Sequence, residues 1–466
     1  MQRTRRTFLK RLGVGVGAIL GRGKLSFADR PPDVRLRIER LKLEVAAGHF
    51  VETVGYNGSI PGPLLRLQEG IPVIVDITNE TDRTEYVHWH GFPVPAQIDG
   101  AQEEKSLAVP ARGHLQYEMT PSLAGTRWVH SHAMAMTDLT RGVYSGQFGF
   151  AYVEPAKNAG SYDQEIFLAT HEWEPFFAES DEDIRNAPEK FGETDWGPVQ
   201  VEVGYRIRTI NAKVLGHGEP IRVKEGQRVL LHVLNASATE NLALALWGHE
   251  FLVTALDGNP VPRPHSVHVL ELGVGERVDA MVEMKTPGVW ILGSTDPDVR
   301  GAGMGISVEY AGQKGTAKAF AGPISDWDYT IFGRNPDARE PDETIPVVIE
   351  RVVPNPQTKG FEMWTINGNS FDPNAAPQKL RRGARYRLVF DNRSADAHPL
   401  HLHRHSFELA SINGKKTSGV MKDVVLVKAY QTVEVDFTAN QEGLALFHCH
   451  QQLHMDRGFK TLFSIV

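Results

Sequence analysis

Gly70-Ile71-Pro72-Val73-Ile74-Val75-Asp76-Ile77-Thr78-Asn79 is the stretch on which the fold turns. It is rich in β-branched residues and bounded by turn formers, the pattern of a strand. The frame returns as Gly226-Gln227-Arg228-Val229-Leu230-Leu231-His232-Val233-Leu234-Asn235, and again as Gly383-Ala384-Arg385-Tyr386-Arg387-Leu388-Val389-Phe390-Asp391-Asn392. Each time glycine and asparagine are nine residues apart. Upstream of each copy stands a further asparagine: Asn57, Asn211 and Asn367. One such interval would mean little. Three, with the same flanks, mean that the body of the chain is one unit used three times.

Short strands separated by Gly, Pro and Asn turns, with little amphipathic-helix pattern, predict an all-β fold of Greek-key sandwiches or barrels. A length of 466 residues agrees, at roughly 100–200 residues per domain. The expected divisions are residues 29–155, 156–325 and 326–466, with the polar, Gly- and Pro-containing stretch 311–343 as the second linker.

The formal charge is −7, yet residues 1–28 hold seven basic side chains and no acid, so the remainder carries −14. An acidic body argues against nucleic acid as a partner and permits neutral or cationic substrates. The first residues pair Arg5 with Arg6, follow them with a mildly apolar stretch over 12–20, and end on Ser26-Phe27-Ala28. This is the layout of a twin-arginine export signal cleaved after Ala28. It predicts delivery by the twin-arginine translocation machinery to the periplasm or another exported location. The apolar stretch is too short to span a bilayer, and no longer one follows.

Counting nine and eleven residues on from the repeat's second asparagine gives His88 and His90 in unit one and His401 and His403 in unit three. In unit two the same offsets give Leu244 and Leu246, so that unit reads as a spacer without metal. His130-Ser131-His132 and His448-Cys449-His450 add two more pairs. Residues i and i+2 of a strand face the same way, so each pair presents two imidazoles to one side. Four pairs in two matching frames suit a cluster of several metal ions between units one and three. Cys449, the lone cysteine, faces the other way and needs a different metal. With His398 before the His401 pair and His454 five residues on, it gives a His, Cys, His set, the signature of a blue-copper electron-transfer site. Zinc fits the same atoms but cannot pass electrons. One peptide joins Cys449 to each flanking histidine, a short covalent route from thiolate to cluster.

These residues resemble the multicopper oxidases: laccases, copper-efflux oxidases and spore-coat oxidases. The resemblance rests on Tyr56-Asn-Gly-Ser-Ile-Pro-Gly-Pro63, His88-Trp-His-Gly91, Trp128-Val-His-Ser-His132, His398-Pro-Leu-His-Leu-His403 and His448-Cys-His-Gln-Gln-Leu-His454. It implies three cupredoxin domains, four copper ions, and dioxygen as the electron acceptor. By the family pattern His398, Cys449 and His454 hold the type 1 copper, and His88 and His401 the type 2. His90, His130 and His450 hold one type 3 copper; His132, His403 and His448 hold the other. Asp99 matches a family acid beside the cluster, although a plain Asp-Gly turn is the alternative. The other nine histidines have no such frame and read as structural or solvated.

The chain departs from the family in three places. Phe459 stands at the axial position ten residues after Cys449, with Met455 the nearest methionine. Arg404 replaces a usual glycine, and Met455-Asp456 stands where relatives carry a glutamate, leaving open which acid completes the proton route. Two readings share the enzyme class: a laccase-like oxidase of phenols or aromatic amines, and a metallo-oxidase of cuprous, ferrous or manganous ions. With 10 methionines, no run of them, and a Met134/Met136 pair that follows His132 rather than a type 1 ligand, the sequence favours the first. A copper-free scaffold would have lost these ligands, and a two-domain nitrite reductase has no use for four His pairs. Substrate choice falls to loops near His398 and His454, such as 411–420.

Overall fold

The computed structural model describes residues 30–156, 160–177, 192–194, 197–199, 203–322, 327–334, 340–352 and 363–466. The export signal expected over 1–28, and parts of the stretch 311–343, lie outside them. Among the described residues strand predominates and helices are few and short, and no helix is long and apolar enough to cross a membrane.

Apart from a small two-stranded hairpin of Gly192–Thr194 and Gly197–Val199, the strands form three pairs of sheets, in sequence order. In the first, the repeat strand Val73–Asn79 lies between Val34–Ala46 and His114–Met119. The facing sheet orders Leu65–Gln68, Phe148–Glu154, Gly125–Ser131 and Val87–His90. Apolar side chains of both sheets, among them Ile38, Val75, Trp89 and Val153, form one buried cluster. The second and third pairs repeat the plan with added edge strands, and their cores merge.

The repeated residues do the same work in each copy. The opening strand always pairs in parallel with the repeat strand: Val34 beside Val75, Gln164 beside Val229, Glu343 beside Tyr386. Asn79, Asn235 and Asn392 each donate through Nδ2 to carbonyls of neighbouring loops and strands, and accept the N–H two residues on through Oδ1. A buried amide so satisfied pins the end of a strand. Asn57, Asn211 and Asn367 sit at φ of 53, 50 and 52°, where asparagine is tolerated better than most residues. Their side chains bridge to the opening strand of the unit.

Candidate metal centres

The register of two strand pairs brings the histidines together. In unit one His88 lies opposite His130; in unit three His401 lies opposite His448 and Leu400 opposite Cys449. Strand periodicity accounts for only part of the arrangement. His132, His403 and His450 each fall one residue beyond the end of their strand, at Ser131, Leu402 and Cys449. In unit two Leu244 and Leu246 of the Leu242–Leu246 strand are buried in the apolar core. The same backbone position thus serves packing there and ligation in its sister units.

The eight paired histidines gather in three buried groups whose ligand atoms lie within 4.8 Å of one another: His88, His90 and His401; His90, His130 and His450; His132, His403 and His448. Most present one nitrogen inward and anchor the other. Nδ1 of His88 donates to the Asp99 carbonyl at 2.8 Å, and Nδ1 of His401 to the Asp423 carbonyl at 2.7 Å. Nδ1 of His130 and of His448 donate to the carbonyls of Ser131 and Cys449. Nδ1 of His403 donates to the Asp99 carboxylate at 2.7 Å. The inward nitrogens crowd each other: Nε2 of His403 and His448 are 3.0 Å apart, and Nδ1 of His90 is 3.3 Å from Nε2 of His450. Nε2 of His88 and His401, and both nitrogens of His132, are buried without a hydrogen-bond partner.

A fourth group lies on the other side of the His448–His450 segment. Cys449 Sγ is 3.9 Å from His398 Nδ1 and 3.7 Å from His454 Nδ1. Trp364 packs against both imidazoles, with ring centroids 4.3 and 4.9 Å away. The ring of Phe459 closes the pocket at 5.1 Å from that of His398, and its carbonyl accepts the Cys449 N–H.

Multicopper oxidase family models match residues 37–158, 209–307 and 342–466, one to each sheet pair. The multicopper oxidase MmcO of Mycobacterium tuberculosis is 28% identical, over 90% of this chain and 84% of its own. The multicopper oxidase mco of Staphylococcus aureus is 25% identical, over 91% and 86%. The crystal structure of a multi-copper oxidase from Pseudomonas thermotolerans superimposes with a TM-score of 0.71 at 23% identity, covering 93% of this chain and 98% of that one.

The chain belongs to the multicopper oxidase family. It is a copper-dependent oxidoreductase that uses oxygen as acceptor, built of cupredoxin-like domains.

The donors of this multicopper oxidase fit copper. A thiolate with two imidazoles, and clustered neutral imidazoles, are ligands this metal prefers. Burial, and after it the neighbouring imidazoles, hold His90, His132, His403 and His450 well below the usual histidine range. Burial likewise takes His448 down to about 3. Each therefore keeps a lone pair for a cation, and buried nitrogens without protein partners suit one. The nine remaining histidines enter none of these groups.

Asp99 is no mere turn residue. It ends the short helix Ala96–Asp99, is fully buried, and anchors His88 through its carbonyl and His403 through its carboxylate. Beside it lies Glu104, which the sequence reading passed over. Its Oε1 accepts the Leu446 N–H at 2.7 Å and sits 3.5 Å from His403 Nδ1; burial, with the charge of Asp99 adding to it, pushes its carboxyl well up. Asp423 was missed as well, for it anchors two cluster histidines from a position 22 residues beyond His401, in a Val-rich strand region with no local motif.

The departures have physical accounts. Arg404 takes the left-handed conformation that explains the family glycine, at φ 62°, and its buried guanidinium donates to the carbonyls of Val94, Gln441, Glu442 and Leu444. Asp456 accepts the N–H groups of Ala135 and Met136 at 3.0 and 2.7 Å and the Gln452 amide at 3.0 Å. This contact changes the standing of the methionine pair. Met134 and Met136 follow a cluster ligand in sequence, but in space their loop is tied to the helix Gln452–Asp456 that carries His454. Both are partly exposed there.

Proposed function

We propose that this oxidase couples one-electron oxidation of phenols or aromatic amines to four-electron reduction of dioxygen to water, with four copper ions. One observation carries the reading: two donor groups of different chemistry lie back to back across a single segment, His448-Cys449-His450. Bound copper supplies the electron acceptance at the Cys449 group and the oxygen chemistry at the histidine cluster. The chain supplies the rest. His398, Cys449 and His454 hold the first ion. His88 and His401, then His90, His130 and His450, then His132, His403 and His448, hold the other three. The Cys449 backbone joins the thiolate to His448 in one group and His450 in another. Asp99 offers a carboxylate at hydrogen-bond reach of the cluster ligands, where protons consumed in forming water can be relayed. Burial of every ligand keeps bulk water off the reacting groups.

A second reading, oxidation of cuprous, ferrous or manganous ions, is favoured by Met134 and Met136, two partly exposed residues beside the His454 helix, of which Met134 takes a contact from Lys460 Nζ on its sulfur at 3.7 Å. Thioethers are soft ligands that select cuprous over hard ions. Steady-state oxidation of a phenol panel against cuprous and ferrous ions decides between them, run on the parent and on the Met134→Leu/Met136→Leu double variant. Phenol turnover indifferent to the double substitution supports the first reading. Cuprous turnover that exceeds it, and falls with the methionines, supports the second. A copper-loaded protein that consumes no oxygen with any donor would sink both.

A further inference from the structure

The middle unit contributes no imidazole to the cluster, yet it reaches it. Arg277, on the strand Arg277–Glu283, is wholly buried. Its Nη1 donates to Oδ1 of Asp423 and its Nη2 to Oδ2, both at 2.6 Å. This is the two-pronged match of guanidinium to carboxylate, which fixes orientation as well as position. Asp257, also of the middle unit, accepts the N–H groups of Asp423 and Val424 at 3.1 Å each and pairs with Lys422 at 3.0 Å. Side chain and backbone of Asp423 are thus gripped from one side.

On its other side Asp423 holds imidazoles from both outer units. Its Oδ1 accepts Nε2 of His90 at 3.0 Å, and its carbonyl accepts Nδ1 of His401 at 2.7 Å. The His90 contact is of a distinct kind. His88, His130, His401, His403 and His448 are all anchored through Nδ1. His90 is anchored through Nε2, which turns its Nδ1 toward Nε2 of His130 at 3.4 Å and of His450 at 3.3 Å. The carboxylate of Asp423 therefore decides which His90 nitrogen faces the metal group. Arg127 of unit one approaches Asp423 as well, at 3.5 Å, but its guanidinium is committed to the Asp257 carbonyl and Asn259.

We propose that Arg277 is a positioning residue for the copper cluster. By clamping Asp423 it fixes the tautomer and ring orientation of His90, so the unit that supplies no ligand sets the geometry of the site. The proposal rests on the copper reading above. Partners of this kind, one step removed from a metal, typically change affinity or activity about 10- to 100-fold when removed.

The test compares Arg277→Ala and Arg277→Lys with the parent. Copper per chain, the visible band of the Cys449 site and the electron paramagnetic resonance signal of the cluster are read on loaded protein. The His90 tautomer is read by nitrogen-15 NMR on metal-free protein. The alanine variant is expected to keep the visible band and one tightly held copper. Its remaining copper should bind about 10- to 100-fold more weakly, and His90 should lose its single Nε2–H form. Lysine, which keeps the charge but not the fork, should recover part of the loss; if the alanine variant does not fold, lysine carries the same comparison. Arg208→Ala is the control, because Arg208 is a buried arginine of the same unit bonded to Glu240 and Tyr205. An equal cluster defect there would show that middle-unit stability, not the clamp, is being read, and would overturn the proposal. A parent that fills with copper beside an alanine variant of equal affinity and unchanged His90 tautomer overturns this inference alone. A parent that takes up no copper overturns the copper reading and this one with it.

Discussion

Asp99 Oδ2 accepts a hydrogen bond from His403 Nδ1 at 2.7 Å, across 304 residues of chain. The same carboxylate oxygen is 3.3 Å from Nδ1 of His88, so one acid faces ligands from two units. Asparagine at this position keeps an oxygen acceptor for His403 but cannot take up or release a proton. Asp99→Asn should therefore leave copper content unchanged and slow oxygen consumption by about 100-fold, the lower range for a lost proton-transfer group. Parental turnover in a fully loaded variant would reduce Asp99 to an anchor for its two histidines.

Cys449→Ser should abolish the visible thiolate-to-copper band and leave the copper of the histidine cluster in place. His448 is anchored through Nδ1 to the Cys449 carbonyl, and both His448 and His450 are grouped with the other imidazoles independently of Sγ. Absorption spectra with copper counts on the purified variant check both halves, and a retained band would show that another group serves as the first acceptor.

Phe459→Met should lower the potential of the Cys449 site and slow oxidation of hard-to-oxidise phenols. The backbone there stays in place, because the Phe459 carbonyl accepts the Cys449 N–H whatever the side chain. A thioether donates to the metal and favours its oxidised form; a phenyl ring cannot, and it keeps water away. Redox titration gives the answer directly, and an equal or higher potential in the methionine variant refutes it.

His232 ties the first unit to the second. It is buried between Asp279, 2.8 Å from Nδ1, and Glu165, 3.4 Å from Nε2, with Thr126 of unit one at 2.8 Å. Burial opposes charge on the ring, but the Asp279 carboxylate and then Glu165 outweigh it and push His232 up to about 9. A folded value above the unfolded one near 6.5 means stability fully present below pH 6.5 and lost as pH rises through 9. At about 1.4 kcal/mol per pH unit, the contribution is on the order of 3 kcal/mol. Thermal unfolding of the parent should weaken between pH 6.5 and 9, and His232→Gln should flatten that slope. Parallel slopes for the two proteins would remove His232 as the cause.

The Gly-to-Asn frame made the three-fold plan legible because its residues obey local rules: an asparagine that pins a strand end leaves the same trace at 79, 235 and 392. The histidines were legible because pairs at i and i+2 fall in that frame. Asp423, Glu104 and Arg277 were not, since they meet the cluster only through tertiary contacts and no spacing ties them to it. The methionine pair shows how sequence position and spatial position part. Met134 stands two residues from His132 in sequence, but the Asp456 carboxylate, far along the chain, decides where its loop lies.

Each of the three histidine groups draws from both ends of the molecule: His88 with His401, His130 with His450, His132 with His403 and His448. Neither end alone completes any of these three sets. An ion that binds there is a rivet between the N-terminal and C-terminal sandwiches, and its binding energy counts toward holding them together. Filling therefore needs both sandwiches folded around the same ion, and a chelator strong enough to strip the cluster should loosen that seam before it unfolds either sandwich.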